Sequence, residues 1–272
     1  MIEMPTATGL QTGDAVSFKF ANNVLARTSG EISFSDEPIS ITDTGSAFEK
    51  SVSGRKSWQV QVGGNLVSSG SPITSCPSVS FNLSGTLARI KSLNLSLMLG
   101  MVEAQDCATS LWKAALPGKI SGSVDLVFNF LEPAGGNDTD DTQQGIVETG
   151  LSAGGYDTIN IIIGTATIAG DVVCTSWKKS APDNDIVSVS ATFKFINDIT
   201  VTSSFSTAFE SILDALTGRT AVVVRTESDY TEGQYTTGSA FISDVALSTS
   251  TNTPATFSAT AVGTGALTIS WP

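Results

Sequence analysis

The feature that most constrains this chain is a period of two in its apolar residues. Val124, Leu126, Phe128 and Phe130 alternate with Ser123, Asp125 and Asn129, and Val187, Val189, Ala191, Phe193 and Phe195 alternate with Ser188, Ser190, Thr192 and Lys194. Extended backbone sends successive side chains to opposite faces, so each run describes a strand with one buried and one solvated side. Short β-branched or aromatic stretches bounded by Gly, Pro, Asn or Ser predict further strands. They fall at Val16–Phe20, Glu31–Phe34, Ser57–Val62, Val79–Leu83, Leu93–Leu99, Ile159–Ile163, Ala221–Arg225, Gly238–Ile242 and Ala266–Trp271. The predicted fold class is all-β, mainly antiparallel, built as a sandwich or barrel. A composition rich in Ser and Thr, with only 15% charged residues, suits sheets with a hydroxyl-bearing outer face.

One segment departs from this period. In "SSFSTAFESILDALTGR", Phe205, Phe209, Ile212, Leu213 and Leu216 form a single helical stripe. Thr207 and Glu210 read as a capping box, and Gly218 as a left-handed C-terminal cap. The pattern predicts an amphipathic helix over 208–217 that covers an open face or edge of a sheet. By contrast, "EPAGGNDTDDTQQG" (132–145) lacks apolar periodicity and reads as an acidic loop. A calcium loop would close with a later acidic residue, and none stands at the expected position.

A spacing recurs along the chain. Phe48 is followed by Gly54 and Val60, Trp112 by Gly118 and Val124, and Trp177 by Asp183 and Val189, each at the same intervals. Leu116-Pro117-Gly118-Lys119 fits a type II turn, Pro182-Asp183-Asn184 supplies another turn, and Ser53-Gly54 a third. The pattern reads as a repeated hairpin, with the aromatic lying over the strand that follows, or as a chance likeness among Ser-rich hairpins. On the first reading Trp112 and Trp177 are buried. "GTLARIKSLNL" (85–95), "GTATIAGDVV" (164–173) and "GSAFISDVAL" (238–247) are also alike, which points to internal duplication.

Three stretches together resemble the major tail tube proteins of bacteriophages, especially those with long non-contractile tails. They are "EISFSDEPISITDTGSAFEKSVSGRKSWQVQVGGNLV" (31–67), "STAFESILDALTGRTAVVVRTE" (206–227) and "GSAFISDVALSTSTNTPATFSATAVGTGALTI" (238–269). The family's helix follows its opening strands almost directly, whereas here a long segment intervenes. The resemblance therefore implies a discontinuous tail-tube-like β domain at 1–70 plus 204–272, with an inserted β domain at 71–203. It further implies a structural virion protein, made in the bacterial host cytoplasm, whose copies form rings, usually hexameric. The rings stack into a tube, other tail proteins meet the tube at its ends, and DNA passes through the lumen without specific binding. An acidic subunit would give a lumen that repels the phosphate backbone.

The chemistry that is missing agrees with a structural role. The chain has no histidine, which removes Ser-His-Asp and Cys-His catalysis and imidazole metal sites. It carries no phosphate-binding glycine loop, so the reading is of no enzyme, no cofactor and no metal. With 14 basic against 26 acidic residues and a net charge of −12, a nucleic-acid-binding surface is disfavoured. Cys76, Cys107 and Cys174 form no CxxC pair and read as reduced thiols, Cys107 and Cys174 as small buried hydrophobes. The N-terminus shows no export signal and no run is long enough to span a membrane. Two alternatives remain: a capsid decoration or other tail-associated protein, and, from another class, a secreted adhesin or carbohydrate-binding β module.

Overall fold

In the computed structural model, which describes residues 16–41, 50–68, 70–82, 85–87, 90–104, 112–129, 155–183, 185–202, 205–228 and 234–270, the alternating runs join into one antiparallel sheet system. Its strands are β1 (Val16–Phe20), β2 (Asn23–Val24), β3 (Ser29–Ile41), β4 (Lys50–Asn65), β7 (Ser78–Phe81), β8 (Gly85–Leu87), β9 (Ile90–Ala104), β10 (Ala114–Asn129), β11 (Asp157–Ile163), β12 (Ala166–Ser180), β13 (Ser188–Phe195), β14 (Thr200–Thr202), β15 (Val222–Ser228), β16 (Tyr235–Ser250), β17 (Thr256–Gly263) and β18 (Thr268–Ser270). A small separate hairpin pairs β5 (Val67–Ser68) with β6 (Ser71–Pro72). Among the described residues there is one helix, α1 (Thr207–Thr217). The chain is all-β and antiparallel apart from this helix. Phe48, Cys107 and the acidic loop at 132–145 lie outside the described residues.

The backbone of the fold is a run in the order β3-β4-β17-β16-β9-β10-β13-β12. Its first four strands and its last four have the same connectivity: a hairpin, then a later hairpin laid against it in reverse. The registers also coincide. Ala240 faces Gly263 in β16–β17 as Val172 faces Phe195 in β12–β13, and Ser248 faces Thr256 as Ser180 faces Ser188. Each hairpin has one bulge at the same place, between Ile242 and Asp244 and between Cys174 and Ser176. The bulged residues even share a bond, since Ser243 Oγ donates to the Thr260 carbonyl and Thr175 Oγ1 to the Thr192 carbonyl, both at 3.2 Å. The outer strands repeat as well: β15 pairs β16 as β11 pairs β12, β18 pairs β16 as β14 pairs β12, and β1 with β2 match β7 with β8. One eight-strand arrangement occurs twice, the second set being nested between β4 and α1 of the first.

This placement revises the repeated spacing. Gly54 and Gly118 sit in uninterrupted strands, not in turns. At each the register shifts, between Glu37 and Ile39 opposite Gly54, and between Pro117 and Ile120 around Gly118. A Cβ on Gly118 would stand 2.7 Å from the Gly100 carbonyl oxygen, and one on Gly54 would collide with the Glu37 carbonyl. Glycine is there because the partner strand's backbone is too close for any side chain, a bulge requirement that a turn signal mimics. Val60 and Val124 are both buried, paired with Ala261 and Phe193 in matching positions. The third instance differs. Trp177 and Val189 do flank a hairpin turn through Asp183, but that hairpin, β12–β13, corresponds to β16–β17. Likewise the glycine matching Gly238 is Gly170, because Gly164 lies in the β11–β12 turn with φ +64°.

An apolar second layer covers one face of the run. Phe209 of α1 lies against Phe257 of β17 with ring centroids 4.6 Å apart, and Phe81 of β7 against Phe193 of β13 at 5.2 Å. Phe205, Phe209, Ile212, Leu213 and Leu216 are all buried. The helix ends differ from the sequence reading. Ser206 holds the N-cap position without a side-chain bond, so no capping box forms. Gly218 is right-handed, and Arg219 takes the left-handed conformation with φ +52°. Thr220 N–H then bonds the Ala215 carbonyl and Arg219 N–H the Leu216 carbonyl, a Schellman closure one residue later than the glycine suggested.

Among the described tryptophans Trp58 is the buried one, only 3% exposed, whereas Trp112 and Trp177 are half-buried. Trp58 fits because Gly238 and Gly263 lie beneath its ring, and its Nε1 donates to the Gly265 carbonyl at 3.0 Å. The second set fills the same space from the other strand, with Phe195 over Gly122 and Gly170. Trp58→Ala is expected to cost about 3–5 kcal/mol in a urea titration followed by circular dichroism. In the same titration Gly54→Ala should cost about 1–3 kcal/mol, because the strand pair must separate to admit a methyl group.

Candidate functional site: the polar face and bare edges of the long sheet

The face of the eight-strand run opposite the core is fixed by the same alternation that buries the core. It presents Ser33, Gln59, Gln61, Thr260, Ser258, Ala246, Ser248, Asn94, Ser96, Ser123, Thr192 and Ser190 in register across the strands. Short polar side chains tie neighbouring strands together. Thr192 Oγ1 donates to Asp125 Oδ1 at 2.6 Å, Ser248 Oγ to Asn94 Oδ1 at 2.7 Å, and the Ser35 and Ser57 hydroxyls are 2.8 Å apart. The charges on it nearly balance, with Glu31, Glu37, Asp125 and Asp244 against Arg55, Lys178 and Lys194, Arg55 facing Glu37 toward the end of β3–β4. The expected acidic character therefore does not belong to this face. A surface of hydroxyls and amides without clustered cations offers a phosphate backbone little to hold.

The run has two ends. At one, β3 pairs only with β4, and its other edge meets no strand among the described residues. At the other, β12 gives residues 172–180 to β13, while its opposite edge is taken by β11 only as far as Val172. Among the described residues no strand pairs with either outer edge, a condition that isolated proteins suppress with short or covered edges. Phe34 on β3 is 72% exposed although it alternates with polar neighbours, and Ile39 on the same strand is 58% exposed.

The two long hairpins lean together beyond the run. Lys113 Nζ pairs with Glu37 Oε1 at 2.5 Å and lies 3.9 Å from Glu103, which also meets Arg55. The hydrogen bond that Lys113 donates to the Glu37 carboxylate is the main reason its pKa is raised. Lys113 N–H also bonds the Lys56 carbonyl, beside the Trp112 bridge to Lys56. Of the residues singled out by sequence, Gly54, Gly118, Val60 and Val124 mark this paired architecture, while Trp177 stands at the bare β12 edge. Asp183 lies in the β12–β13 turn, and Val189 is buried, facing Lys179 of β12 on one side and Phe128 of β10 on the other. Phe34 and the exposed β3 edge were not singled out. The available signal was an aromatic in the apolar register of an edge strand, which becomes informative only once the pairing is known.

Among the described residues no group of three or more His, Cys, Asp or Glu side chains could hold a metal ion, and no helix is long and apolar enough to cross a membrane. Cys76 is exposed and Cys174 is half-buried, its thiol pKa pushed up by burial. No family model and no curated protein matches the chain. Solved structures do. A chain of the virion of a native gene transfer agent particle matches 47% of this chain and 95% of its own length at 18% identity and a TM-score of 0.40. A chain from the tail of an empty gene transfer agent particle, of C6 symmetry, matches 71% of this chain and 100% of its own at 14% identity and a TM-score of 0.33. A chain of an extended-state sheath/tube terminator of an extracellular contractile injection system matches 47% and 93% at 16% identity and a TM-score of 0.35.

One carboxylate of the polar face is strained by its setting. Burial raises the Asp244 pKa above its ordinary value. The unfolded chain therefore releases this proton first, and stability is lost as pH rises through the carboxylate range toward the folded pKa. Asp244→Asn is expected to raise the melting temperature at about pH 7 and to leave it nearly unchanged at about pH 3, where both states are protonated.

Proposed function

We propose that the chain is a structural subunit of a tail tube, whose copies close their sheets into rings around a channel and stack along it. The observation that carries this reading is the eight-strand run: apolar and covered on one face, hydroxyl-rich on the other, and open along the backbone at both ends. A sheet with two bare edges and a finished core is completed by neighbours of its own kind, which removes the edge hazard without any added element. The resemblance of residues 31–67, 206–227 and 238–269 to phage tail tube proteins supports the same reading. In such a ring the polar face lines the channel, and its near-neutral hydroxyl surface lets DNA pass with little adhesion. Residues 1–70 with 204–272 form one domain of the subunit, and 71–203 the inserted one. Other tail proteins would cap the tube.

Negative-stain microscopy of the purified protein tests this. Rings or tubes with a stain-filled centre are expected, and their length should grow with protein concentration. A protein that stays monomeric at high concentration, or that binds only to capsid faces, would overturn the reading.

A further inference from the structure

We infer that the joint between β16 and β9 inside the chain is a copy of the joint between chains: β3 of one molecule adds to the bare edge of β12 of the next, in a register that the internal joint dictates. The inference rests on the tail tube reading for its ring, but its geometry comes from the strand pairing alone. β16 is the last strand of the first four-strand set and β9 the first strand of the second. Asp244 faces Met98, Val245 faces Leu97, Ala246 faces Ser96, Leu247 faces Leu95 and Ser248 faces Asn94.

Both partners have counterparts at the ends of the run. Asp244, Val245 and Ala246 correspond to Ser176, Trp177 and Lys178, because both sets follow the same bulge and face matching residues of β17 and β13. Leu97, Ser96 and Leu95 correspond to Phe34, Ser33 and Ile32, because Leu95 faces Val124 as Ile32 faces Val60, and both hairpins have their glycine bulge at the same distance. β15 occupies β16 up to Ala240 and leaves the rest to β9, and β11 occupies β12 up to Val172, beyond which no strand of the described residues pairs with that edge. The seven residues of β16 that β9 faces have 176–182 as their counterparts, of which β12 supplies 176–180.

Transferring the register puts Ser35 opposite Ser176, Phe34 opposite Trp177, Ser33 opposite Lys178, Ile32 opposite Lys179 and Glu31 opposite Ser180. At two positions the chemistry of the edges fits, while Lys179 stands where the internal joint has the buried Leu247. Val245 and Leu97, the internal counterparts of Trp177 and Phe34, are both fully buried, so the 72% exposed Phe34 and the half-buried Trp177 become a covered cross-strand aromatic pair. Glu31 comes diagonally beside Lys178 on the polar face, an opposite-charge neighbour. A ring closed this way contains twice as many four-strand units as chains, and its joints alternate between internal and intermolecular.

Cysteine cross-linking tests the register. In a chain with Cys76→Ser, Cys107→Ser and Cys174→Ser, the pair Ser33→Cys with Lys178→Cys should give, on mild oxidation, a ladder of covalent oligomers on a denaturing gel. The displaced pair Ser29→Cys with Lys178→Cys should give none. Phe34→Glu, at an exposed position, should keep the melting temperature of the monomer and shift the protein from rings to monomers in sedimentation. Tubes that form while the Ser33–Lys178 pair stays unlinked, or that link through the displaced pair, would overturn the inference and leave the tube reading standing. Rings of Phe34→Glu with undiminished yield would overturn it too. Cross-linked oligomers that never stack would uphold the joint and sink the tube reading.

Discussion

The backbone ladder between β16 and β9 is the interaction on which the rest of the structure depends. Among the described residues it is the one long pairing that joins the two four-strand sets within the eight-strand run, from Asp244–Met98 to Ser250–Ser92. Because side chains alternate, a slip of one residue there would send Leu93, Leu95 and Leu97 to the polar face and break the core on both sides. The bulge at Ser243 makes the ladder possible. It lets β16 serve β15 along its first half and β9 along its second, so a single strand belongs both to the covering layer and to the long run.

The two sets solve one packing problem with opposite assignments. In the first, the large ring comes from β4 as Trp58, and the space from Gly238 and Gly263. In the second, the ring comes from β13 as Phe195, and the space from Gly122 and Gly170. The volume at the site is kept while its donors exchange, which is how dense cores tolerate change. Two sequences with little visible identity thereby hold one register.

The strands were legible because a half-buried strand leaves a period-two pattern, and the stretches read from sequence lie within or against strands of the fold. β12 and β17 were not among the stretches picked out by β-branched or aromatic content. β17, "TFSATAVG", is built of small residues, and β12 has Gly170 in its interior, so neither contrasts its faces strongly. The recurrence of Gly54 and Gly118 was visible, but its meaning was not. A glycine that makes room for a partner's carbonyl has the same local signature as one that makes a turn. The burial of Trp58 and the exposure of Phe34 depend on strands far away in sequence, so no local pattern could separate them. The bare edges were the least legible feature, since an edge is defined by what fails to pair.

The nesting of one set inside the other has a consequence for concentration. In an assembly of such chains every second joint forms during folding, where its partners are held at the high effective concentration of a single polypeptide. Only the remaining joints need a collision between molecules. Dilution would therefore split such a ring at alternate seams, leaving pre-joined pairs of units rather than single ones as the smallest pieces.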